Sequence, residues 1–307
     1  MLAWSLSLSV APYDAAGQSP IVFMTADYAA PESRLVRFDA GVESFAVTAG
    51  TRAAFIGVTI LDGYVLVADF QAGAIQRFSP SGNVLAPFAL FDNPTFLESD
   101  SSGNVYTTHF SLGPPVATRF NSSGAVTQTY SHPLMEELAG VDADADGNVY
   151  VVDDFITKVL YKFAADGTFL TSVPLGTINP TDVAIDEAAD RLYMADEFGG
   201  PLGIKVFDIS GPIPILTGGI ATPPTSNIAG VHFAAESGNI LATDFGVTSD
   251  DPRGLEFSPS GTLLREYRPT GARNAWDITT FVPEPGIVCL FVLGTVGLTP
   301  FGRVRRD

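Results

Sequence analysis

The sequence holds one cysteine, Cys289, so no intrachain disulfide can form, and the fold must be held by packing and by closure of its own elements. Cys289 stands in an apolar stretch, where a hydrophobic role suits it better than thiol chemistry. Basic residues are also scarce: 16 against 34 acids, for a formal charge of −18. A phosphate backbone would be repelled, which argues against nucleic acid as a partner. The acidity fits a solvated surface first and a bound cation second. The only histidines are His109, His132 and His232, and no two have the spacing of a paired metal site. A Walker loop, a dinucleotide fingerprint, a Gly-x-Ser-x-Gly elbow and a His-Glu-x-x-His helix are all absent, which removes the usual support for nucleotide, serine-hydrolase and metalloprotease chemistry.

What is present is apolar and rich in turns. Hydrophobic residues make up 46% of the 307 and charged residues 16%, with 30 Gly and 22 Pro, a profile of many short strands. From residue 20 to 281 one pattern recurs: a β-like run, a Gly-containing turn, a second run ending in Asp plus an aromatic, and a third ending in Phe. The second runs end at Asp27, Asp69, His109, Asp153, Asp196 and Asp244, 40 to 48 residues apart, the length of a four-stranded propeller blade. Gly103-Asn104, Gly147-Asn148 and Gly238-Asn239 supply the first hairpin turn, and Ser81-Gly82, Asp166-Gly167 and Ser260-Gly261 the next. The first unit lacks its opening run, and a spare run appears at the far end, Ala275 to Phe281. The expected fold is therefore all-β: a six-bladed β-propeller whose ring is closed by a C-terminal strand joining the N-terminal blade.

Phrases such as Gly140-Val141-Asp142, Asp146-Gly147-Asn148-Val149-Tyr150-Val151-Val152-Asp153 and Lys158-Val159-Leu160-Tyr161-Lys162-Phe163 resemble the NHL repeat. The resemblance implies a six-bladed propeller. Such propellers include binding scaffolds, lyases and calcium-dependent lactonases, so it selects no chemistry.

The two ends differ from the middle. Residues 1–19 open on MLAWSLSLSV, like the apolar part of a secretory signal but with no Lys or Arg before it, which reads as an incomplete signal peptide and linker. Residues 282–307 carry Val282-Pro283-Glu284-Pro285, an apolar stretch from Gly286 to Phe301, then Arg303, Arg305 and Arg306. A helix over that stretch would nearly span a bilayer, with the arginines retained on the cytoplasmic side. The order resembles the PEP-CTERM sorting signal. That resemblance implies a transmembrane helix recognised by an exosortase-type membrane sorting protease, transient anchoring in the inner membrane, and delivery to the cell surface or medium. An ordinary membrane anchor would account for the helix and arginines but not for Pro-Glu-Pro.

Two sets of residues mark the expected site. Asn93, Glu137, Asn179, Asn227 and Asn274 open the innermost strands, while His109, Asp153, Asp196 and Asp244 close the adjacent ones, so both sets converge on one mouth of the channel. Alternation then carries Asp182 and Asp277, and one layer deeper Glu98, Asp142 and His232, toward the axis. Strand-end capping is the favoured role for these Asn and Asp side chains. The sharper alternative is a Ca²⁺ site drawn from Glu137, Asn179, Asn227 and Asp142. Asp142-Ala143-Asp144-Ala145-Asp146-Gly147 also looks like the opening of a calcium loop, but its flanks read as strands, which favours an acidic turn. The functional expectation is a non-enzymatic binding or matrix-associated module for an extracellular polysaccharide or protein; the alternative is a metal-dependent lactonase- or lyase-like enzyme working at the channel mouth.

Overall fold

The computed structural model describes residues 20–27, 33–48, 53–109, 114–154, 157–246 and 251–282. The leader expected over residues 1–19 lies outside them, as do the sorting tail, helix and basic terminus expected from Pro283 onward. Among the described residues no helix is long and apolar enough to cross a membrane.

These residues form six antiparallel four-stranded sheets. Blade 1 holds β1 (Ile21–Ala26), β2 (Arg34–Asp39) and β3 (Val42–Thr48). Blade 2 is β4 (Phe55–Leu61), β5 (Tyr64–Asp69), β6 (Ala74–Phe78) and β7 (Ala89–Leu90). Blade 3 is β8 (Pro94–Ser99), β9 (Val105–His109), β10 (Ala117–Phe120) and β11 (Val126–Tyr130). Blade 4 is β12 (Leu138–Ala143), β13 (Val149–Asp153), β14 (Val159–Phe163) and β15 (Phe169–Pro174). Blade 5 is β16 (Pro180–Asp186), β17 (Arg191–Asp196), β18 (Ile204–Asp208) and β19 (Ile215–Ile220). Blade 6 is β20 (Ile228–Ala234), β21 (Asn239–Asp244), β22 (Arg253–Phe257) and β23 (Leu263–Tyr267). Finally β24 (Ala275–Phe281) returns to become the inner strand of blade 1, pairing Ile21 with Phe281 and Val22 with Thr280. Each inner strand packs on the next, from β24 to β4 and round to β20 and β24 again. The ring is a closed six-bladed propeller.

Strands at the middle of each blade are covered on both faces, which is why Val149 to Asp153 are all buried and apolar nearly throughout. Core clusters straddle neighbouring blades: Tyr106 and Tyr130 of blade 3 pack with Val141, Val149, Tyr161 and Phe163 of blade 4. At about 1.5–3 kcal/mol for each large buried apolar side chain, these seams supply most of what holds the ring. Polar groups at the hairpins are locally satisfied. Asp144 accepts from the Asn148 amide at 2.8 Å and the Tyr150 hydroxyl at 3.2 Å, and Asp100 accepts from Asn104 and Tyr106 in the same way. Asp144 is thus the anchor of a turn whose Gly147 sits at φ +78°, and the segment opening at Asp142 is a hairpin, not a loop between helices.

The inner strands share an irregularity. In all six blades the register between the inner and second strands slips once, as between Phe55 and Val58, Leu138 and Val141, and Ile228 and Val231. At that level the ring reads Gly57, Phe96, Gly140, Asp182, Gly230 and Asp277 from blade 2 round to blade 1. Glycine alternates with a larger residue because a Cβ on Gly140 would lie 2.4 Å from Cα of Asp182, and one on Gly230 2.5 Å from the Trp276 carbonyl. The strands approach too closely for two side chains.

Replacing Gly140 by Ala is expected to destabilise the ring by about 1–3 kcal/mol through overpacking, whereas Gly211→Ala, where a Cβ meets nothing within 4 Å, is expected to be nearly neutral. Equal denaturation midpoints for the two variants would show that the close approach is not needed.

Candidate functional site

The channel has two ends: the inner strands start at the end where the second strands finish in Asp, and they finish at the end carrying the first hairpins. At the Asp end, the Asp side chains point back into the chain that enters the inner strand. Asp153 accepts from the Glu136 amide at 2.7 Å, Asp196 from Asn179 at 3.0 Å, Asp244 from Asn227 at 3.1 Å and Asp69 from Ala54 at 3.0 Å. In return the carbonyls of Glu137, Asn179 and Asn227 accept the amides of Asp154, Glu197 and Phe245, and that of Asn274 accepts the amide of Asp27. Cations complete several of these knots: Arg34 on Asp27 at 2.5 Å, Lys205 on Asp196 at 3.0 Å, Arg253 on Asp244 at 3.2 Å, and Lys158 on the Asn179 side chain. The structure therefore gathers both expected residue sets at one mouth, and the contacts it gives them are caps of strand ends.

Two positions there depart from the pattern. Asn93 holds a left-handed φ of +47°. His109, where the other units have Asp, packs edge-on against Phe91, and burial lowers its pKa, only partly offset by Asp92. The carboxyls of Glu137 and Glu197 are raised, by burial and then by Asp153 and Asp196 respectively. Asp154 goes further, pushed up to about 7 by burial and then by Glu137 and Asp153.

In the interior, the acids reach from one blade to the backbone of the next. Asp277 accepts from the Val58 amide at 2.7 Å, Asp182 from Val231 at 2.9 Å, and Asp142 from Ile185 at 2.8 Å. Each carboxylate thus latches a pair of neighbouring inner strands. Burial, reinforced by Glu98 for Asp142 and Asp277 and by Asp277 for Asp182, holds all three carboxyls well above the usual carboxylate range. The cation set drawn from Glu137, Asn179, Asn227 and Asp142 is not brought together. Glu137 and Asp142 stand at opposite ends of the inner strand, roughly 15 Å apart at ~3.3 Å per residue, and both Asp142 oxygens already accept backbone amides. Those residues do not fit a Ca²⁺ ion. Among the described residues no three His, Cys, Asp or Glu side chains converge as a metal site.

Space for a ligand exists at the hairpin end. A cavity of about 490 Å³ opens between the inner strands of blades 3 to 6. On its floor Glu98 of blade 3 meets His232 of blade 6, opposite it in the ring, with Oε1 3.3 Å from Nδ1; the other ring nitrogen lies 3.4 Å from the Thr280 hydroxyl. Burial alone would lower the His232 pKa, but Glu98, then Glu236 and Asp277, outweigh it and raise the pKa above its ordinary value. Alternation does lead Glu98, Asp142 and His232 to one layer near the axis. What it misses is that Ala184, the small residue between Asp142 and His232 at that level, leaves a chamber there; the lack of a bulky residue at that place in the repeat is the one trace in the sequence.

No family model matches the chain, and no curated protein matches it. Solved structures do. A structure described as a nidogen/laminin complex is 15% identical, with a TM-score of 0.61 over 85% of this chain and 97% of that one. A protein of unknown function from Bacteroides caccae is 12% identical, with a TM-score of 0.67 over 85% and 98%. A streptogramin B lyase is 14% identical, with a TM-score of 0.52 over 82% and 74%. At these identities the likeness is one of fold alone, and the functions named differ from one to the next.

Asp154 yields a pH test. Its folded pKa of about 7 lies above the unfolded value of roughly 4, so the stability it contributes is full below about pH 4 and is lost as pH rises through 7. Across that window the wild type is expected to lose stability relative to Asp154→Asn; parallel pH curves for the two proteins would refute the assignment.

Proposed function

We propose that the protein is an exported, surface-sorted propeller that binds an extracellular polysaccharide or protein without transforming it. The observation that carries this reading is the employment of the channel acids: Asp142, Asp182 and Asp277 each hold the backbone of a neighbouring blade. Groups so engaged serve closure of the ring and are poor general bases or ligands, which leaves a rigid scaffold with a concave chamber at one end. Export and sorting are supported by Val282-Pro283-Glu284-Pro285, the apolar stretch after it, and Arg303, Arg305 and Arg306, the order of a PEP-CTERM signal read by an exosortase-type protease.

One observation favours an enzyme instead. An imidazole oriented by a carboxylate on the floor of a cavity, as His232 is by Glu98, is the arrangement of a general acid–base pair. The lyase among the structural neighbours keeps this reading open by fold likeness alone.

Protein purified without chelator is expected to contain no stoichiometric metal and to turn over none of a panel of lactones and esters; turnover abolished by His232→Ala would replace the binding reading with the enzymatic one. Sorting is tested separately by intact mass. The cell-surface or secreted form is expected to lack residues 286–307, and finding Arg303 to Asp307 still attached would exclude processing of the tail.

A further inference from the structure

A separate cavity of about 430 Å³ lies between the first hairpin of blade 4 and the turns of blade 5 that face it. Lys162, only 6% exposed, is part of its lining. The ammonium stands over the Tyr150 ring, 5.0 Å from the centroid. Among the described residues, however, no oxygen accepts any of its N–H donors and no carboxylate comes within ion-pair distance.

The repeat itself shows which bond is missing. Arg37 of blade 1 and Arg119 of blade 3 hold the same place, one residue before the Phe of the third strand, and each donates to a carbonyl of the next blade, Pro80 at 2.7 Å and Ala165 at 3.3 Å. Arg77 of blade 2 rests on the Tyr64 ring without that bond, but it is only half-buried. Pro80 and Ala165 stand two residues after Phe78 and Phe163, as Ile209 stands after Phe207. Lys162 makes no bond to Ile209; both line the cavity instead. A buried ammonium so placed favours a ligand that brings it an acceptor.

The other walls decide what carries that acceptor. Asp144, Asp146, Glu187 and Asp190 line the same space, so an anion is repelled. A cation has no lone pair to offer Lys162. A neutral hydroxyl meets both demands, since it accepts from an ammonium and donates to a carboxylate. Both oxygens of Asp144 are taken by its own turn, which leaves Asp146 and Asp190, both exposed, to receive such protons. A neighbouring cavity of about 340 Å³ shares Asp190 and Ser210 and continues to Thr217 on β19. Together the two form a cleft from the hairpin of blade 4 toward the outer edge of blade 5, which suits a chain of hydroxyl-bearing units better than a single small molecule.

We propose that this cleft binds a neutral segment of a hexose polysaccharide, one hydroxyl accepting from the Lys162 ammonium while others donate to Asp146 and Asp190. The inference rests on the reading of the protein as a binding module and names a site and a ligand class for it.

Titration calorimetry of the purified full-length protein with cellohexaose, maltohexaose and mannohexaose tests the site, with hexagalacturonate as the anionic counterpart. At least one neutral hexaose is expected to bind one per chain, at least about tenfold more tightly than hexagalacturonate. Lys162→Met keeps an unbranched stem on Tyr150 and removes the N–H donors, and is expected to lower that affinity by about tenfold or more. Asp190→Asn is expected to lower it by about threefold or more; its left-handed φ of +50° is one that Asn adopts as readily as Asp. Each variant is first matched to the wild type by its thermal transition, and either one suffices if the other fails to fold. No heat from the wild type with any of the three up to about 10 mM, equal or tighter binding of hexagalacturonate, or unchanged affinity in a folded variant would each overturn the proposal. Failure here leaves the binding reading intact, since that reading falls only to turnover in the lactone and ester panel.

Discussion

Six sheets can share one axis only if their innermost strands come closer than side chains on both would allow, and this crowding governs the rest of the molecule. Glycine at Gly57, Gly140 and Gly230 gives way to Phe96, Asp182 and Asp277 on alternate blades. The register slip in every blade at this level bends the inner strand and leaves amides and carbonyls that the ladder no longer pairs. They are satisfied from the next blade. Side chains of Asp277 and Asp182 take the amides of Val58 and Val231 beside the slips, and hydroxyls of Thr25, Thr108 and Thr243 donate to the carbonyls of Ile56, Ala139 and Trp276. Crowding, irregularity and inter-blade bonding are thus one arrangement, in which each blade is incomplete without its neighbour.

That arrangement also explains where the acidity goes. A carboxylate is a compact acceptor able to take two amides at once, so the same residue type recurs at the channel wall and at the Asp end, where Asp69, Asp153, Asp196 and Asp244 receive the entering chain. Burial of so many like-charged groups raises several of their pKa values, and the cations that offset them, Arg34, Lys205 and Arg253, are spent at the Asp end. The chamber at the hairpin end is lined by no Lys or Arg, and His232 is its one basic side chain. The two ends of the channel therefore differ in electrostatic character although the blades are repeats of one another.

Much of this is legible in the sequence. Blade number, hairpins and closure by Ala275 to Phe281 follow from the spacing of the Asp endings and from one missing run, because strand periodicity and turn chemistry are local properties. The site was only half legible. Alternation leads from Asn93, Glu137 and Asn179 toward Asp182 and Asp277, yet it assumes an unbroken strand, and the slip between Leu138 and Val141 breaks the parity at that point. Glu137 and Asp142 look like members of one cluster along a sequence, while in the fold they serve opposite ends. A meeting such as that of Glu98 with His232, 134 residues apart, depends on which blades face each other across the axis and on the small residue at Ala184 beside them, neither of which a repeat pattern encodes.

The ladder that closes the ring has a mechanical consequence. Chain enters at Ile21 and leaves at Phe281, paired residues at the hairpin end of the channel. Force applied to the polypeptide beyond Phe281 along the axis would load β24 lengthwise, so that its bonds to β1 and the Asp277 latch onto Val58 resist together, in shear. Force applied between the two ends would instead open the same ladder one pair at a time, beginning with Ile21 and Phe281. A ring tethered on its carboxyl side alone loads this seam in shear, and one pulled by both ends opens the same seam pair by pair.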